Sequence, residues 1–187
     1  MRILISHAQE DSAIAKLISN LLQHSTSDRI TAWFSSDDSA QGGISPGSYW
    51  YDRLKQELGE TNCIIALVTP NSVAAPWLYF ETGFGAADAS KKIVPVCLGV
   101  KVEAVGMPLS GYQMYNLGSK LNFASFVTKI FNEANVVFRE DVHGGPRDKC
   151  YEALVEAERK LFAIGQVEKT ESTDSQLAAH LASLTQK

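Results

Sequence analysis

"CIIALVTPNSVAAPWLYFETGFGAADA", residues 63–89, changes period part-way along. Cys63–Thr69 is a near-continuous apolar run of strand length, which suits a strand covered on both faces. From Pro76 the spacing becomes helical. Proline fits a first helical position, because its missing N–H has no intrahelical partner there. Trp77, Phe80 and Phe84 then recur at i, i+3 and i+7, predicting one apolar stripe that enters the core. Glu81 falls in the same stripe, one turn after Trp77. A carboxylate there costs several kcal/mol unless something satisfies it.

Outward from this unit the alternation repeats. "RILIS" (2–6), "ITAWFS" (30–35), "IVPVCL" (93–98) and the weaker "YQMYNL" (112–117) read as further strands. Ile14, Leu17, Ile18, Leu21 and Leu22 follow the pattern of an amphipathic helix, as do Phe123, Phe126, Val127, Ile130, Phe131 and Ala134. Trp50, Leu54 and Leu58 lie four apart, with Ser45 as an N-cap, Pro46 in the first turn and Gly59 at the exit. Alternating strands and helices predict an α/β fold, a parallel sheet with right-handed crossovers and helices on both faces. After residue 140, "HGGPRD" (143–148) reads as a turn. The spacing then predicts a helix over about 147–163, a linker at 164–173 and a short helix at 174–185, carrying Leu177, Leu181 and Leu184.

The 187 residues suffice for one domain with a sizeable core, and 45% hydrophobic with 20% charged residues is a globular composition. A net charge of −4 with scattered Lys and Arg argues against nucleic-acid binding. No apolar run reaches the roughly 20 residues that span a bilayer. Three dispersed cysteines and four histidines without ligand spacing give neither a disulfide framework nor a metal site. The expectation is a cytoplasmic, metal-free protein.

Open α/β sheets bind ligands at the carboxyl ends of their strands. Ser6 and His7 follow the first strand, Ser35–Gly47 the second and Thr69–Ala75 the third. The second of these loops is long for a βα connection and reads as lid-like. Glu81 beside it has two readings: a carboxylate desolvated by Trp77 and Phe80 and poised for a cationic ligand, or a boundary glutamate paired with Lys or Arg. Ser6 has the spacing of a capping box with Gln9. His7 reads either as a ligand contact or as a solvated loop histidine. Trp50 and Trp77 suit either stacking on a flat ring or the core. "GFGA" (83–86) lacks the context of a phosphate loop and suits close helix–sheet packing. No Walker-type lysine is present in the 35–47 loop, which argues against nucleotide-triphosphate hydrolysis.

Jointly, several of these stretches resemble bacterial Toll/interleukin-receptor (TIR) domains. "ILISHAQEDSAIAKLISNLL" resembles their opening, "ISPGSYWYDRLKQEL" the close of the loop after the second strand, "CIIALVTPNSVAAPWLYFETGFG" the third strand with its Thr-Pro turn and Trp-x-x-x-Glu helix, and "KKIVPVCL" the fourth strand. The likeness covers roughly residues 1–135. It implies a flavodoxin-like three-layer sandwich with strand order 2-1-3-4-5, a TIR domain at 1–140 and a helical extension at 141–187. It further implies cleavage of NAD+ at the nicotinamide–ribose bond, giving ADP-ribose or a cyclic product, as in antiphage signalling. Glu81 would be catalytic, with Ser6, His7, Asp37, Trp50 and Trp77 contacting the substrate and no cofactor beyond NAD+ itself. Self-association through the loops is implied as well. The rival reading is a non-catalytic adaptor acting through an effector partner. Nucleoside deoxyribosyltransferases share the fold type and a glutamate nucleophile, but the Ser-His and Thr-Pro/Trp segments fit them worse.

Overall fold

The computed structural model describes the backbone of residues 1–34, 36 and 50–184, and the side chains of 1–34, 36 and 52–163. Five strands, β1 (Arg2–Ser6), β2 (Thr31–Trp33), β3 (Cys63–Val68), β4 (Lys92–Cys97) and β5 (Tyr115–Asn116), form one parallel sheet in the order β2-β1-β3-β4-β5. Among the described residues, five α-helices flank it: α1 (Ser12–Ser25), α2 (Trp50–Glu60), α3 (Pro76–Ala86), α4 (Lys120–Glu133) and α5 (Glu140–Leu184). This is the parallel α/β sheet that the sequence pattern predicts, in the flavodoxin-like strand order that the resemblance implies.

The two-residue period of the strands divides the core between the sheet's faces. Ile3, Ile5, Ile65 and Leu67 point to one side, where Ile18 and Leu22 of α1, Phe126 and Ile130 of α4, and Cys150, Leu154 and Leu161 of α5 cover them. Leu4 and Ile64 point to the other, under Leu54 and Leu58 of α2. Ala66 and Val68 share that face with Leu78 of α3. Fully buried Glu57 anchors α2 through ion pairs to Arg2 of β1 and Arg53. A buried carboxylate left without such partners would cost several kcal/mol.

Two expectations change here. Only the start of the aromatic stripe of α3 packs on the core: Trp77 is half-buried beside the Leu4–Leu54 cluster, but Phe80 and Phe84 are 40% and 43% exposed, while Leu78, Glu81, Thr82 and Gly85 are buried. Close approach selects that face. A methyl group at Gly85 would overlap Cδ1 of Ile64, so a larger residue there forces the Ile64 side chain to shift.

The second change is at the C-terminal end. α5 begins at Glu140 rather than about 147, and its backbone stays helical to Leu184 in place of the linker and second helix. "HGGP" is absorbed because other groups hold the helix start across Pro146. His143 Nδ1 accepts the Arg139 N–H at 2.8 Å, with its ring between Phe131 and Phe138. Arg147 reaches back to both carboxylate oxygens of Glu140. No helix among the described residues is long and apolar enough to cross a membrane.

Candidate active site

Ser6 is the last residue of β1 and lies beside Ala66 of β3 in the register. It shares parity with Leu4, so its side chain emerges on the α2/α3 face. Glu81 comes from the second turn of α3, on the boundary between the buried stripe and the aromatic one. The two meet: Ser6 Oγ donates to Glu81 Oε2. Trp77 Nε1 donates to Oε1 at 2.6 Å, and its ring stacks on Phe80 with centroids 5.0 Å apart.

Glu81 is 3% exposed and has no cationic partner among the described residues. The pairing with Lys or Arg is therefore not what places it there. Burial pushes its carboxyl up to about 7, and the hydrogen bonds from Ser6 and Trp77 oppose that rise. Both oxygens act as acceptors, the bonding pattern of an ionised carboxylate. A group balanced in this way near neutrality is suited to a site that receives positive charge.

The capping-box reading of Ser6 is overturned. The following short 3-10 turn, Gln9–Asp11, starts after Ala8 without a side-chain cap, and the Ser6 hydroxyl is committed to Glu81. His7, one residue on, turns to the opposite face. Its Nδ1 lies 3.1 Å from the Ile5 carbonyl, its Nε2 lies 2.6 Å from Ser36 Oγ, and its ring meets Phe34 edge-on at 5.6 Å. It is buried, not a solvated loop histidine. A carbonyl can only accept, so Nδ1 carries the proton and Nε2 accepts from Ser36. Burial holds the His7 pKa below its usual value.

The structure thus brings Ser6, Trp77 and Glu81 together and places His7 behind them. Asp37 lies outside the described residues, as do Ser45, Pro46 and the side chain of Trp50, whose backbone opens α2. Sequence reasoning missed Asp11, Thr69 and Asn71, which link the two loops beside the site. The available signal was the acidic pair after Ser6–His7 and the polar turn after β3.

Comparison with known proteins agrees with this architecture. A family profile described as "TIR domain" matches residues 3–130. The chain belongs to the TIR domain family. Among solved structures, it is similar to the TIR domain of the Toll-related receptor TRR-2 from Hydra magnipapillata, at 17% identity and a TM-score of 0.55. That likeness covers 71% of this chain and 97% of the Hydra domain, and at such low identity it speaks to the fold alone. No curated protein matches the chain. The TIR match ends within α4, so α5 lies beyond it, although Cys150, Leu154 and Leu161 complete the domain's main core.

Proposed function

We propose that this TIR domain cleaves NAD+ at the nicotinamide–ribose bond, with Glu81 facing the reacting ribose. The observation that carries the reading is the Glu81 carboxyl itself: buried, without a cation among the described residues, and held on both oxygens by Ser6 and Trp77. Its hydrogen bonds from Ser6 and Trp77 only partly offset the cost of burying the charge. It becomes favourable when positive charge is brought to it.

NAD+ supplies that charge. Its nicotinamide ring is cationic and departs neutral, so the leaving group needs no general acid. As the bond breaks, positive charge moves onto the ribose, and a carboxylate in a desolvated site stabilises the oxocarbenium-like transition state. The approaching cation favours the ionised form of Glu81, offsetting the burial that raises its pKa. Water then adds at the ribose carbon and loses a proton, giving ADP-ribose; an internal nucleophile in its place gives a cyclic product. Ser6 and Trp77 orient Glu81, and Asp37 and Trp50 complete the substrate contacts in this reading. NAD+ is the substrate and no further cofactor is involved. Self-association through the loops belongs to the same proposal.

A second reading, an interaction module working through a partner, is favoured by the neighbouring exposed rings of Phe80 and Phe84. Turnover separates the two. Purified protein is incubated with NAD+ over a range of protein concentrations and nicotinamide is followed by mass spectrometry. Release is expected, steepening with concentration; absence of release at every concentration leaves the interaction module.

A further inference from the structure

Asp11 is fully buried, five residues past Ser6 at the end of the Gln9–Asp11 turn. Its Oδ2 accepts the Thr69 hydroxyl at 2.6 Å and its Oδ1 accepts the Asn71 amide at 2.8 Å. The turn it holds is itself rigid. Ser72 Oγ accepts the Thr69 N–H at 2.8 Å and donates to the Leu67 carbonyl at 2.8 Å. The Ala75 N–H bonds to the Ser72 carbonyl at 2.9 Å, and the next residue is Pro76, the first of α3.

We infer that Asp11 is a positioning residue for the Glu81 site: it clamps the Thr69–Asn71 turn to the segment after β1 and so fixes α3 where Glu81 meets Ser6. Both halves of the Ser6–Glu81 hydrogen bond descend from the two segments that Asp11 joins. An apolar residue in place of this acid would leave the Thr69 hydroxyl and the Asn71 amide without their acceptor. Two donors from separate residues call for an acid, because a carboxylate accepts on both oxygens. As a statement about catalysis this rests on the NAD+-cleaving reading; as a statement about geometry it does not.

The test uses the full chain with Asp11→Ala and Asp11→Asn, beside Ile130→Val as a core change on the far face. The first readout is the 1H–15N resonance of the Trp77 indole, assigned through Trp77→Phe. In Asp11→Ala it moves toward the free-indole position. In Asp11→Asn it stays, because asparagine can accept from Asn71 and donate to Thr69. In Ile130→Val it also stays. The second readout is turnover: kcat falls roughly 10- to 100-fold in Asp11→Ala with KM little changed, and Asp11→Asn restores it. A folded Asp11→Ala with an unmoved indole overturns the inference. If that variant does not fold, Asn71→Ala, which deletes only one of the two bonds to Asp11, carries the same expectation and the same overturning result. A wild-type protein that releases no nicotinamide removes the proposed function, while the indole still decides the role of Asp11.

Discussion

The Trp77 indole and the Glu81 carboxylate, one turn apart on α3, are joined by a 2.6 Å hydrogen bond at the boundary between the helix's buried and exposed faces. That bond gives the indole a polar task that an apolar stripe does not require. It also leaves the carboxylate facing Ser6 across the end of β1.

The buried Glu81 makes stability depend on pH in a definite direction. Its folded pKa is about 7, against 4.5 for an ordinary glutamate. Between those values the native state keeps a proton that the unfolded chain has released, so stability falls as pH rises through the window. The full shift corresponds to at most roughly 3 kcal/mol. Glu81→Gln removes this contribution, so wild type should lose stability relative to the variant between pH 4.5 and 7, read by denaturant titration at each pH. A constant difference across that range would contradict the environment described for Glu81.

His7 provides a second check on the interior beside the site. Its contacts fix the proton on Nδ1, and burial lowers the ring's pKa from the usual histidine value. Long-range 1H–15N spectra should show the Nδ1–H tautomer at pH 7. Ser36→Ala, which removes the donor to Nε2, should perturb that nitrogen most. An Nε2–H tautomer in wild type would mean that His7 does not bond to the Ile5 carbonyl.

Gly85 tests the close approach of α3 to β3. Gly85→Ala should cost about 1–3 kcal/mol through overpacking against Ile64. Ile64→Val removes the offending methyl and by itself should cost about 1 kcal/mol. The double variant should be more stable than the sum of the two predicts. Strict additivity would show that the two groups do not touch.

The sheet was legible because its central strands β1 and β3 are buried and carry long apolar runs, whereas the edge strands β2 and β5 are only three and two residues long. "RILIS" coincides with β1, and α1 and α4 bury the stripes that their spacing predicts. The face of α3 was not legible, because periodicity counts apolar side chains and here a glycine decides what fits. The continuity of α5 was hidden for a similar reason. Gly144, Gly145 and Pro146 signal a break locally, but the His143 and Arg147 bonds that override it depend on packing against Phe131 and Phe138. Glu81 could be singled out from its misplaced charge. Its partner Ser6 looked like a helix cap, since sequence shows a hydroxyl's neighbours along the chain and not those across a sheet.

The central claim is that Glu81 stabilises positive charge on a bound ribose. Its most direct test is nicotinamide release from NAD+ by wild type and Glu81→Gln, at matched concentration and with folding verified. The account predicts turnover by wild type and a loss of roughly 100-fold or more in the variant, which keeps the side chain's size but not its charge. A Glu81→Gln protein that releases nicotinamide at the wild-type rate would contradict it.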